Sequence, residues 1–380
     1  MKTKYIHMTQ IPIFKKKIKP NEICPCGSKI KYKKCHGSGV DQIVNPYQLD
    51  SHIRSLSPAS QCLAPSAFVH ECSKGIINAH TISRSGSLGA IEKNGHVYSY
   101  NVSLQSLIKS SGQIHPEVTG WRKASTFPGF CGNHDKKLFE PLEDKPFVGS
   151  KEQCFLLAFR CIARELYTKK SSEKQSKLRV ALSNKFPEKA QFIADFNHGV
   201  DLGLHDSNVH KVSFDAVLET KNWSDVHAVL VEFDGIFPIQ CACGYFPDID
   251  IFGNKIQEIG FDKLTPDAIT LVSFAANEKS YVSFCWLNNS NTSCDTFIST
   301  LLKAPKNDLP AIIGCLLLQV SENCHFSPTW YENLPPDGKK WCSEQIKVGI
   351  SIFETIPPPA QNGGNSYFNG VTISSINIVS

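Results

Sequence analysis

The sequence predicts an α+β fold, and three observations carry that reading. Residues 150–170, SKEQCFLLAFRCIARELYTKK, repeat apolar side chains at helical spacing. Phe155, Leu156, Phe159, Ile162, Ala163 and Leu166 share one face, Ser150 can cap the start, and Glu152 sits in the first turn. From Val226 the period shortens to that of strands, in VHAVLVEF, FPIQCACGYF, AITLVSFAA and SYVSFCWL, and helical spacing returns at 294–303, 309–323 and 336–350. Ahead of both, cysteine and histidine gather at 24–36 and again at 72–134.

Composition narrows the class. A chain of 380 residues suffices for two or three domains, and 41% hydrophobic against 20% charged residues is the balance of a globular protein. No run reaches the roughly 18 apolar residues of a membrane span. The opening MKTKYIHMTQIPIFKKKIKP is basic but lacks the apolar core of a secretory signal, so a cytoplasmic location is expected. Fifteen cysteines in such a chain are expected as thiols or metal ligands rather than disulfides. The net charge of +5 is unevenly spread: residues 1–40 hold ten lysines against Glu22 alone. Attraction to a nucleic acid or another anionic surface is therefore concentrated in this arm, unless the arm is simply solvated.

Cys24, Cys26, Cys35 and His36 stand in CPCGSKIKYKKCH. A thioredoxin-type redox site needs Cys-x-x-Cys, and this is Cys-Pro-Cys. A metal site fits better. Gly27 and Ser28 permit a tight reversal, and a ribbon of about eight residues can return Cys35 and His36 to the first two cysteines. Three thiolates and an imidazole suit tetrahedral zinc. A basic segment with no apolar core would draw its folding energy from that ion, on the order of 10 kcal/mol.

The stretch resembles the SEC-C motif, a zinc knuckle found at the C-terminus of the preprotein-translocase motor ATPase and on many otherwise unrelated bacterial proteins. Cys24, Pro25, Cys26, Gly27, Ser28, Lys31, Tyr32, Lys33, Cys35 and His36 match its pattern, whereas Lys29 replaces a glycine and Ile30 also departs. The resemblance implies a small interaction module with a protein partner. In the translocase it docks a chaperone and touches phospholipid, but the rest of this chain is no translocase motor.

A second set is Cys72, His80, Cys131 and His134. Cys131 and His134 have the spacing of a knuckle followed by a helix start, and a hairpin can bring Cys72 and His80 together. Three uses stay open: a second zinc, a packing cluster, or a catalytic site. As a Cys2His2 set it resembles a treble-clef finger. Ala79-His80-Thr81-Ile82 and Phe130-Cys131-Gly132-Asn133-His134-Asp135 also resemble the HNH nucleases, themselves treble clefs. That resemblance implies a metal-dependent nuclease acting on DNA or RNA, with His80 as general base and His134 or Asp135 on a divalent ion. The paired Cys-x-x-Cys of that finger are missing, and His80 and His134 cannot both hold a structural zinc and do the chemistry. Residues 67–170 with ENCHFSPTWYENL are also similar to uncharacterised bacterial proteins with no assigned activity.

The expected organisation is a basic arm and knuckle at 1–40, a linker at 41–66 and a treble-clef-like Cys2His2 domain at 67–149. A helical region follows at 150–225, an α+β domain at 226–356, and a flexible tail at 357–380 that opens PPPAQNGGNS. Other groups read as structural: Cys241 and Cys243 near Asp248 and Asp250 as strand residues, His198, His205 and His210 as core or solvated histidines. Glu322, Asn323 and His325 beside Pro328 and Trp330 could line a pocket or cap and pack a helix. No phosphate loop, nucleophile elbow or dinucleotide fingerprint is present. The functional expectation is a cytoplasmic zinc-binding interaction protein, with an HNH-like nuclease as the alternative.

Overall fold

The computed structural model describes residues 19–23, 31–34, 60–100, 115–176, 178–180, 190–260, 264–288, 292–349 and 356–379. The fold has both helices and sheet, as an α+β protein must. The chain divides into two compact units. One comprises residues 1–58, 101–115 and 171–200, and the other 59–100, 116–170 and 201–380.

Strands β1 (Ile76–His80), β2 (His96–Ser99), β3 (Glu117–Gly120) and β4 (Thr126–Cys131) precede helix α1 (Gly132–Glu143) and helix α2 (Lys151–Lys174). Helix α3 (Ala190–Thr220) leads to strands β5 (Val226–Asp234), β6 (Ile239–Tyr245), β7 (Ile269–Ala276) and β8 (Lys279–Leu287). Helices α4 (Thr292–Leu301) and α5 (Leu309–Val320), strand β9 (Cys324–Phe326), helices α6 (Pro328–Asn333) and α7 (Pro336–Gly349) and strand β10 (Thr372–Val379) follow. Among the described residues, eight strands form one antiparallel sheet in the order β10-β5-β8-β7-β6-β9-β2-β3, and β1 and β4 pair separately.

The central strands are buried on both faces, which explains their nearly continuous apolar runs. On one face Ala228, Leu230, Cys285 and Leu287 meet Phe155 and Phe159 of α2 and Phe214 and Val217 of α3. The β7–β8 hairpin turns on Asn277 (φ 52°) and Glu278 (φ 61°), both left-handed, as a tight two-residue hairpin turn of this hand requires. Helix α5 packs against α7 and β6, and at Gly314 an added Cβ would stand 2.2 Å from the Phe368 ring.

Two boundaries differ from the sequence expectation. The 67–149 region is not separate from the sheet, because β2 pairs with β9 and carries β3 onto the sheet's end. Such pairing joins residues more than two hundred positions apart and leaves no local trace. The expected flexible tail is instead structured: short 3₁₀ turns at Pro359–Gln361 and Asn365–Phe368 precede β10, which pairs with β5 from Thr372 to Val379. Proline and glycine there set turns into a strand, and Phe368 is buried.

In the smaller unit, Ile23 bridges Lys31 in antiparallel fashion, Tyr32 N–H donates to the Glu22 carbonyl at 2.7 Å, and Tyr32–Lys34 form a 3₁₀ turn. None of these residues is buried.

Candidate metal centre

The β1–β4 pair and the helix after it build the site. Cys131 ends β4 and is the N-cap of α1, with extended backbone (φ −79°, ψ 158°) and a sulfur that accepts from the His134 N–H. One turn into α1, His134 is 1% exposed and turns its ring back toward that cap. The register sets Ile76 opposite Cys131 and His80 opposite Thr126.

Two further cysteines come from the chain before β1. Leu63 N–H donates to the Gly129 carbonyl at 2.8 Å, which lays the segment bearing Cys62 along β4. Gly129 is required there, because a Cβ would stand 2.0 Å from the Phe127 ring. The turn Ser66–Glu71 then delivers Cys72. Asn133 clamps that end. Its Nδ2 donates to the Glu71 carbonyl at 2.8 Å, its backbone N–H donates to Ser73 Oγ at 3.3 Å, and Lys137 pairs with Glu71 at 2.9 Å.

Cys62, Cys72, Cys131 and His134 therefore converge, with ligand atoms all within 4.8 Å of one another, and could hold a metal ion. His134 Nδ1 lies 3.3 Å from Cys62 Sγ, 3.5 Å from Cys72 Sγ and 3.3 Å from Cys131 Sγ. Backbone N–H groups point at the sulfurs: Ser73 at 3.4 Å and His134 at 3.5 Å to Cys131, and Cys131 at 3.5 Å to Cys62. The two neighbouring thiols are driven apart in acidity. Burial raises the Cys131 thiol, but the His134 and Ser73 N–H groups outweigh it and bring it down to about 6. Burial and the adjacent Cys62 and Cys131 push Cys72 up to about 11.

The expected set differs from this one in a single member. His80 does not join the cluster, and Cys62 occupies the fourth position. The reason is strand geometry: four residues at about 3.3 Å each carry His80 to the opposite end of the pair. Its Nε2 lies 3.2 Å from the Arg122 carbonyl. Sequence spacing missed Cys62 because it falls in the expected linker, ten residues before Cys72, with no partner at knuckle spacing.

Asp135, the residue after His134, faces a different neighbourhood. Its Oδ1 is buried without a hydrogen-bond partner among the described residues. Burial raises its pKa, Arg160 and His80 oppose that, and Glu143 adds to it. Arg160 is itself buried, paired with Glu143 at 2.7 Å and stacked 3.9 Å over Phe139.

The remaining sequence candidates fall elsewhere. Cys241 and Cys243 are buried in β6, and Asp250 is buried with its carboxylate accepting from Phe252, Asn254 N–H and Asn254 Nδ2. His210 Nε2 meets the Pro266 carbonyl at 3.0 Å, while His198 and His205 lie elsewhere along α3. His325 and Asn323 are buried in a hydrogen-bond chain. His325 Nδ1 is 2.6 Å from Ser99 Oγ, its Nε2 is 3.2 Å from Asn323 Oδ1, and Asn323 Nδ2 donates to Ser125 Oγ at 2.9 Å. Read as serine, histidine and amide this suggests a nucleophilic triad, but all three are more than nine-tenths buried, so the chain serves as an internal tie. Trp330 does border a cavity of about 520 Å³, with Tyr367, Asn333 and Asp337. Cys24, Cys26, Cys35 and His36 lie outside the described residues.

The family model of the SEC-C motif matches residues 21–38. The chain thus joins a SEC-C motif to a separate Cys3His cluster, two features that together support a zinc-binding protein. No curated protein and no solved structure matches the chain. No helix among the described residues is long and apolar enough to cross a membrane.

Proposed function

We propose that Cys62, Cys72, Cys131 and His134 hold a structural zinc ion, that Cys24, Cys26, Cys35 and His36 hold a second, and that the protein is an interaction or adaptor protein docking a partner through its SEC-C knuckle. The observation that carries the zinc assignment is the spacing of the cluster. Zinc bonded at about 2.3 Å to sulfur and 2.0–2.1 Å to nitrogen sets tetrahedral N···S edges of about 3.6 Å. The three edges here are 3.3, 3.5 and 3.3 Å. Thiolate-rich sets disfavour magnesium and calcium. Four protein ligands leave no open position, which is the pattern of a structural rather than a catalytic zinc. A ribbon, a knuckle and a helix N-terminus around one ion is a treble-clef-like arrangement.

The docking role follows from the SEC-C match. Lys31, Lys33 and Lys34 are exposed, so the partner surface that suits the module is acidic. The test is proximity labelling in cells with the full chain and with Cys35→Ser. A protein labelled by the parent and lost with Cys35→Ser, while melting temperature holds, supports docking. Identical labelling by both contradicts it.

A second reading has its own observation. With Cys62 completing the metal set, His80 is not needed in it, and His80 lies within electrostatic reach of Asp135 beside the same helix start. In an HNH-like nuclease His80 would take a proton from water, and Asp135 would hold a divalent ion that activates the phosphodiester. Against it, Ala79 offers no second ligand before His80. Plasmid DNA offered with Mg²⁺ and then Mn²⁺ separates the readings. The adaptor reading expects no cutting. Cutting abolished by His80→Ala, with zinc content and melting temperature intact, would establish the nuclease instead.

A further inference from the structure

Strand β10 closes one end of the eight-stranded sheet, and β3 closes the other. The two ends are built differently. β3 is four residues long and opens with Glu117, the short, charged type of edge that resists pairing. β10 runs eight residues, TISSINIV, with no charged residue and no proline. Its start is blunted by a bulge between Ile373 and Ser375, and Lys306 Nζ reaches the Ser374 carbonyl at 3.4 Å. From Ser375 to Val379 the pairing with β5 is regular, and among the described residues no strand pairs with the outer edge. Ile378 is 73% exposed on that stretch. Inward of it, β5 places Glu232, ion-paired with Lys279 at 2.6 Å, opposite Ser375, and the uncharged Val231, Leu230, Val229 and Ala228 opposite the rest.

We infer that the 375–379 edge is the contact through which two copies of this chain pair, β10 against β10, in an antiparallel two-fold interface. The occupant is fixed by self-complementarity. In a two-fold antiparallel pair every residue meets its own symmetry set, so a charge near the centre meets a like charge. This edge has none. Asn377, whose Nδ2 reaches Ser375 Oγ at 2.9 Å, stands next to Ile378 and can exchange amide hydrogen bonds across the axis. Pairing satisfies the outward backbone groups of both strands, joins two sheets into one, and covers Ile378. The inference does not depend on the zinc assignment or on the docking role.

The test is mass in solution by light scattering, over a dilution series, for the zinc-replete full chain, for Asn377→Lys/Ile378→Lys, and for Val118→Lys on the opposite edge. The parent and Val118→Lys are expected at twice the 42.1 kDa chain mass, and Asn377→Lys/Ile378→Lys at the single mass. Ile378 and Val118 are both exposed, so the folded chain tolerates each change, and unchanged melting temperatures verify it. A cysteine scan of 375–378 should add an intermolecular disulfide at the position on the axis. A monomeric parent overturns the inference, as does a dimer that Asn377→Lys/Ile378→Lys leaves intact or that Val118→Lys breaks.

Discussion

His325 shows how one buried side chain can set the response of the fold to acid. Its imidazole sits between Ser99 and Asn323, and burial, helped by the Arg164 charge, lowers its pKa to about 3. The neutral ring donates from Nε2 to Asn323 Oδ1 and accepts the Ser99 hydroxyl at Nδ1. Since the folded value lies below the ordinary 6.5, the unfolded chain binds the proton first. The stability from His325 is complete above pH 6.5 and is lost as pH falls from there toward 3. The full loss is on the order of 5 kcal/mol. Urea midpoints measured across that window should fall more steeply for the parent than for His325→Asn, and parallel slopes would refute the account. At the same scale, Cys131 combines three roles: strand end, helix cap and candidate ligand, with a thiol already shifted toward thiolate by backbone N–H groups.

The β1–β4 pair with α1 is the element on which the cluster depends, and its two weak points are Gly129 and Asn133. Gly129→Ala forces a methyl into the Phe127 ring beneath the site, and overpacking of this kind costs about 1–3 kcal/mol. Asn133→Ala removes the clamp on the Cys72 segment, at about 1 kcal/mol per lost hydrogen bond. Thermal melts should rank Gly129→Ala below Asn133→Ala, and Asn133→Ala should also speed metal loss to a chelator. Unchanged chelation kinetics would show that Asn133 does not hold Cys72. At this scale the sequence was readable where chemistry is local. Cys131-x-x-His134 before a helix start, the helix over 150–170 and the β7–β8 hairpin are all written in neighbouring residues. Cys62 was not readable, because its place comes from the Leu63–Gly129 hydrogen bond across sixty-six positions of chain.

At the scale of the whole molecule the α+β class was legible from the change in hydrophobic period, and the joining of its parts was not. The sheet takes β2 and β3 from before α2 and β10 from the far end of the chain, so that segments read as separate regions share one sheet. The sequence of the basic knuckle is poor in apolar residues, so the proposed zinc ion would supply its folding energy. A peptide spanning residues 18–40 should therefore gain structure on zinc addition and fail to with Cys35→Ser. A spectrum indifferent to zinc would remove the metal from that module. Zinc stoichiometry of the purified full chain decides whether Cys62 rather than His80 completes the second site. About two zinc ions per chain are expected in the parent and in His80→Ala, and about one in Cys62→Ser with a lowered melting temperature. Undiminished zinc in Cys62→Ser, or the loss of one ion in His80→Ala, would contradict Cys62 as the fourth ligand.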